Sequence, residues 1–283
     1  MMSRILKHIA YTGQVLLGRV NAGRGLTVFP DDRFLVSYPR SGSTWTRFLI
    51  GNLIHGDEPI TFANIESRVP SIYICPDRSL RRQPRPRLLT SHECFDPAYK
   101  TITYVVRDPR DVAVSYYHYC IKNYHIPDNY PIDDFVSRYI AAEVYPAYDR
   151  WGSWADHLMS WLAMRRDSDG FLLLRYEDIV NNPERELAKV ASLLGIDNTS
   201  QRLQRAIQLS SADHMRRLEK EQHHLWAQTN KTRSDKPFIR AASSGGWKSS
   251  LTESSVRQIE SAWATAMQSV GYQLTCDTSP VSG

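Results

Sequence analysis

Three groups of residues in this chain have types and spacings that could do chemistry. The first is Arg40, Ser41, Gly42, Ser43 and Thr44, inside SYPRSGSTWTRFLIGNLI (37–54). One guanidinium, three hydroxyls and one glycine stand between an apolar run and an amphipathic pattern that starts at Trp45. Small residues at a strand-to-helix junction suit an anion. The first amides of a helix lack partners, and the helix dipole adds partial positive charge there. Gly42 allows close backbone approach, the hydroxyls donate, and Arg40 adds a forked, permanent charge. The GxxxxGK[ST] pattern of nucleotide-triphosphate loops is absent, which disfavours an ordinary Mg-ATP kinase. Alone, the segment also fits a plain βα turn with ordinary caps.

The second group lies in YVVRDPRDVAVSYY (104–117), where Arg107 ends an apolar run and Ser115 follows eight residues later. Arg107, Asp108, Arg110 and Asp111 could simply pair with one another at a helix start. The third is His92, followed by Glu93, in LLTSHECFDP (88–97). Imidazole is the side chain best suited to moving a proton near neutrality.

The elements that must position these groups are legible in outline. Short apolar strands are expected at 33–38, at the end of 85–92, at 101–106 and at 171–178. Helices are expected from Trp45 (Trp45, Phe48, Leu49, Leu53), after Asp108 as N-cap with Pro109 in first position, over 182–195 with a stop at Gly195, and over 251–271 with Thr252 or Ser255 as cap. Strands alternating with helices predict an α/β fold: a single domain whose central, mostly parallel sheet is flanked by helices. Open sheets of this kind bind ligands at the carboxyl ends of their strands, which would put Arg107 beside the loop at 40–44. Residues 219–246 are polar and without period and are expected to form a long, functional loop.

The whole chain has 283 residues and a formal charge of +5, with 42% apolar and 23% charged residues. That excess suits an anionic ligand and falls short of a dedicated nucleic-acid binder. Cys75, Cys94, Cys120 and Cys276 form no CxxC pair, and the nine histidines form no HExxH. Reduced thiols in a cytoplasmic protein and no metal site are therefore expected. No stretch approaches 18 apolar residues, so no transmembrane segment is expected. The chain divides into an N-terminal helix or extension packed on the domain (1–32), the domain itself (33–271) and a tail (272–283).

Taken together, YPRSGSTW and YVVRDPRDVAVSYY resemble the two phosphate motifs of the sulfotransferases that use 3′-phosphoadenosine 5′-phosphosulfate (PAPS) and release the 3′,5′-bisphosphate PAP. The likeness continues through GSWADHLMSW (152–161), LLRYEDIVNNP (173–183) and RAASSGGWKSSLT (240–252). It implies the P-loop-like sulfotransferase fold and a cytosolic-type enzyme. Arg40, Ser41, Gly42, Ser43 and Thr44 would hold the 5′-phosphosulfate. Arg107, Ser115 and Arg240 would hold the 3′-phosphate. Trp45, Tyr176 and Ser210 would contact adenine, although Tyr176 could equally be core. His92 would be the general base and Arg40 would stabilise the leaving phosphate. Glu93 is a rival base, as in some carbohydrate sulfotransferases.

Several positions depart from the family. Arg40 stands where lysine is usual, and Thr90-Ser91-His92 lacks a cationic helper seen beside the base. Arg240-Ala241-Ala242 replaces an RKG motif, and Ala212 replaces an adenine-packing aromatic. No dimerisation segment is recognisable, which leaves the oligomeric state open. The acceptor would be a small molecule, taken up between 55–82, 119–151 and 219–240, where Tyr119, Tyr124, Tyr130, Tyr145, Tyr148, Trp151 and Trp226 lie. Nothing fixes O- against N-sulfation.

Overall fold

The computed structural model describes residues 21–144, 151–240 and 243–275. Most of the expected N-terminal helix and of the C-terminal tail lie outside the described residues, as do Tyr145, Tyr148, Ala241, Ala242 and Cys276.

Four strands, β1 (Arg33–Ser37), β2 (Leu88–Ser91), β3 (Thr101–Val106) and β4 (Phe171–Arg175), form one sheet in the order β2-β1-β3-β4. All pairings are parallel, with Val36 opposite both Ser91 and Tyr104. The sequence alternates between the sheet's two faces. Phe34, Val36, Ile102, Tyr104 and Val106 pack into one apolar cluster, and Leu35, Val105 and Leu174 into the other. Each large side chain buried this way contributes about 1.5–3 kcal/mol. The fold is thus the expected single α/β layer structure.

The helices that matter are α1 (Ser43–Ile54), α2 (Pro109–Lys122), α3 (Ile132–Ile140), α4 (Trp154–Arg165), α5 (Tyr176–Asn181), α6 (Pro183–Leu194), α7 (Ser200–Leu209), α8 (Ala212–Gln222) and α9 (Glu253–Ser269). Their ends follow local chemistry. The Asp108 side chain accepts from the Arg110 amide, and Pro109 opens α2. Ser153 and Asp156 form a capping box on α4. Gly195, at φ +63°, closes α6, and Thr252 caps α9. Two boundaries differ from expectation by more than two residues. The last strand stops at Arg175, where Tyr176 already opens α5. Glu177 then accepts from the Asp108 amide at 3.0 Å, which ties α5 to the end of β3. Residues 219–222, read as loop, complete α8 behind its Ser211 cap.

β1 runs on to β2 on one side and β3 to β4 on the other, so the chain leaves the carboxyl ends of these two neighbours in opposite directions. That divergence opens a crevice between the loop after β1 and the loop after β3. The polar segment beyond α8 is pinned over it. Lys122 Nζ donates to the Arg233 and Lys236 carbonyls at 2.7 and 2.6 Å. Asp111 accepts from the amides of Gly245 and Trp247 at 2.7 and 3.0 Å.

Candidate active site

The loop after β1 is built around two left-handed residues, Arg40 at φ +69° and Gly42 at φ +93°. Gly42 is required twice over. It has a backbone conformation that favours glycine, and a Cβ there would lie 2.4 Å from the Tyr176 ring. Gly42 is also the N-cap of α1, and its carbonyl accepts the first helical bond, from Thr46, at 3.1 Å. Among the described residues no backbone carbonyl takes the amides of Ser43, Thr44 or Trp45. The first turn of the helix therefore leaves its amides open, a geometry that suits an anion.

Arg107 follows β3 and reaches this loop. Its Nη1 donates to the Arg40 carbonyl over a long 3.5 Å, its Nη2 donates to the Ser243 carbonyl at 3.1 Å, and its guanidinium lies 4.4 Å over the Tyr176 ring. Tyr176 also meets Trp45 edge-to-face at 5.5 Å, and Trp45 Nε1 donates to the Ser210 carbonyl. Arg40, Gly42, Ser43, Thr44, Trp45, Arg107, Ser115, Tyr176 and Arg240 line one cavity with about 920 Å³ of empty space. Its charge is one-sided. Burial, then the nearby guanidinium groups of Arg40 and Arg107, pulls Arg240 down to about 10. Burial, and to a smaller extent Arg107, lowers Arg40 as well, against an opposing pull from the tyrosines beside it. The Nε atoms of Arg40 and Arg107 are buried without a partner among the described residues. Among the described residues the one carboxylate on the wall, Asp111, is already taken by two backbone amides. Such a cluster favours an anion, and it fits a ligand bearing phosphates.

Two predicted ligand contacts are not brought to this cavity. Ser41 is fully buried and absent from its wall. Ser210 is also fully buried. Its hydroxyl donates to the Ala206 carbonyl at 2.7 Å and accepts from Asn52 at 3.0 Å, so the helix end at α7 consumes it. Ala212 and Met215 face the cavity instead.

A second cavity, with about 1180 Å³ of empty space, meets the first at Arg40, Ser43 and Thr44, which line both. His92 is on its wall. The His92 Nδ1 lies 2.7 Å from the Ser37 carbonyl. A carbonyl only accepts, so Nδ1 carries the proton and Nε2 keeps a lone pair. Burial is the main cause holding His92 down to about 4, and Arg47 and Arg40 add to it. Its backbone is fixed on both sides. Its amide donates to Tyr73 Oη at 2.8 Å, and its carbonyl accepts from His157 Nε2 at 3.0 Å. The Tyr73 ring lies parallel to the imidazole at 5.7 Å, and Trp151 meets it edge-on at 5.6 Å.

Glu93 lies on neither cavity wall. It is buried, accepts from Tyr73 Oη at 3.1 Å and pairs with Arg24 at 2.8 Å. Each of the three segments expected to surround the acceptor contributes wall residues, among them Tyr73, Tyr119, Trp151 and Lys231. Tyr124 is 71% exposed and Trp226 is core, so neither is on the wall. Tyr73 and Lys231 were not singled out from sequence. Tyr73 stands in an aromatic-poor stretch (69–76), and Lys231 is one cation in a polar run.

A family model described as a sulfotransferase domain matches residues 30–271. Rat sulfotransferase 1A1 is 28% identical over 271 residues, covering 90% of each chain. Bovine sulfotransferase 1A1 is 30% identical over 257 residues, covering 84% of each. Among solved structures, mouse sulfotransferase SULT7A1 complexed with PAP superposes with a TM-score of 0.65 at 24% identity, over 86% of this chain and 87% of that one. Retinol dehydratase in complex with androsterone and PAP superposes at 0.70 with 19% identity, over 91% and 86%.

Proposed function

This chain belongs to the sulfotransferase family, and from that premise we propose that it moves a sulfuryl group from PAPS to a hydroxyl or amine of a small molecule. The observation that carries the proposal is the pair of cavities that share Arg40, Ser43 and Thr44. One cavity is cationic and suits the donor, and the other holds His92 and suits the acceptor. The group in transfer would sit at the residues common to both.

PAPS supplies an electrophilic sulfuryl group on a phosphate leaving group, and the chain's residues do the rest. The open amides of α1 and the hydroxyls of Ser43 and Thr44 would hold the 5′ end. Arg107, Ser115 and Arg240 would hold the 3′-phosphate, with Trp45 and Tyr176 against the adenine. His92 Nε2 would accept the acceptor's proton as its oxygen or nitrogen attacks sulfur. Arg40 would balance charge growing on the departing phosphate oxygen. Glu93 is a poorer base, since its carboxylate is engaged by Tyr73 and Arg24.

A calorimetric titration tests the donor assignment. Two charge-assisted contacts to the 3′-phosphate, each about 1.5–3 kcal/mol, predict PAP affinity at least about 100-fold above that of AMP. Equal affinity for the two would refute it.

A further inference from the structure

The acceptor cavity has a charge pattern that narrows what it accepts. Among the described residues no aspartate or glutamate is on its wall, whereas Arg40, Arg47 and Lys231 are. Two of these cations are accounted for. Arg47 Nη2 pairs with Glu66 at 2.9 Å and its Nε donates to the Val69 carbonyl, which neutralises it inside the fold. Arg40 also lines the cationic cavity and packs its guanidinium 4.6 Å from the Tyr119 ring and 5.0 Å from that of Phe238.

Lys231 is left over. The carboxylates close to its loop are spent on its neighbours: Arg233 holds Asp128 and Asp235 at 2.6 Å each, and Lys236 shares Asp128 at 3.6 Å. Among the described residues no carboxylate pairs with Lys231. The backbone on either side of it is nonetheless tied down. The Arg233 amide donates to the Lys122 carbonyl, Lys122 Nζ donates to the Arg233 and Lys236 carbonyls, and the Thr232 amide closes a turn on Thr229. Lys231, itself exposed and without a carboxylate partner among the described residues, thus lines a cavity whose wall also carries the rings of Tyr73, Tyr119 and Trp151 and the neutral amides of Asn123 and Gln228.

Resting on the function proposed above, we infer that the acceptor is an aromatic hydroxy acid: a ring for the aromatic walls, a hydroxyl for His92, and a single carboxylate for Lys231. An ammonium on a wall whose amides are neutral matches one negative charge. An acceptor bearing an ammonium finds no carboxylate on the wall among the described residues and is disfavoured.

Three probes with one ring system separate the possibilities: 3-(4-hydroxyphenyl)propanoate, its amide, and tyramine. Each is titrated calorimetrically into the full chain saturated with PAP, and each is then assayed for sulfation with PAPS. The carboxylate is expected to bind about 10-fold tighter than the amide, with tyramine weakest, and kcat/KM is expected to keep that order. Lys231→Met brings the carboxylate-to-amide ratio near one, and Lys231→Glu moves the preference toward tyramine. A wild-type ratio near one, or a preference that survives in Lys231→Met, overturns the inference while leaving the donor assignment intact. Failure of the wild-type chain to bind PAP overturns both.

Discussion

Replacing Gly42 with alanine tests the donor loop most directly, because two separate costs can be read from the geometry. The first is conformational. Residue 42 sits at φ +93°, where an L-residue pays about 1–2 kcal/mol. The second is steric. The new Cβ would be 2.4 Å from Tyr176 Cδ2 and 2.5 Å from Cε2, where ordinary contact starts near 3.4 Å. The ring must therefore withdraw by about 1 Å. It leaves behind the Arg107 guanidinium, 4.4 Å over its face, and the edge of Trp45. Those contacts are worth about 0.5–1 and 0.5–1.5 kcal/mol. The expected loss is about 2–4 kcal/mol, divided between folding stability and ligand affinity. Urea denaturation gives the first share. PAP titration gives the second, expected as a fall of at least about tenfold. Tyr176→Ala in the same background removes the clash and leaves the φ cost. The double variant should then be less impaired than the two single changes predict by about 1–2 kcal/mol. A Gly42→Ala chain with parental stability and parental PAP affinity would refute this account of the loop. Strict additivity in the cycle would refute the Tyr176 contact.

His92 is held neutral down to about 4, so turnover with PAPS should be level from about pH 5 upward and fall as pH drops through about 4, where Nε2 gains a proton. An acid limb near 6.5, the ordinary imidazole value, would contradict this. The same depression means the unfolded chain binds that proton more tightly, so the denaturation midpoint should decline between pH 6.5 and 4. Tyr73→Phe removes the acceptor of the His92 amide, leaving a buried donor unsatisfied at about 1–3 kcal/mol. Turnover should drop about tenfold with PAP affinity unchanged, and an unchanged kcat would show that Tyr73 does not position the imidazole.

What was legible in the sequence was local. The strands declared themselves as apolar runs, and Asp108-Pro109 and Gly195 marked helix ends through side-chain and backbone geometry that neighbours alone decide. Arg107 and Arg40 could be paired because parallel topology sends strand ends to one edge. What was not legible depends on partners far along the chain. The segment after α8 has no period of its own, and its shape comes from Lys122 and Asp111 more than a hundred residues earlier. The hydroxyl of Ser210, which the resemblance places against the adenine, is spent on α7 and Asn52. Tyr73 acquired its place only when its segment folded against β2.

Arg40, where the family usually has lysine, can be understood in the same long-range terms. Its backbone is already committed, with a left-handed φ and a carbonyl turned toward Arg107. Its guanidinium lies against two aromatic faces, Tyr119 from α2 and Phe238 from the pinned segment. A flat, weakly hydrated cation can rest against both rings and still offer N–H groups at its edge. An ammonium is a compact, strongly hydrated point charge, which this half-buried position would desolvate without giving it a flat face to stack. The substitution therefore belongs to a site whose charge is placed by aromatic packing, and the ring of Phe238 can hold it because Glu219 accepts from the amide of Ile239 at 2.9 Å and from that of Phe238. The polar segment after α8 thus sets the position of the cation at the junction of the two cavities.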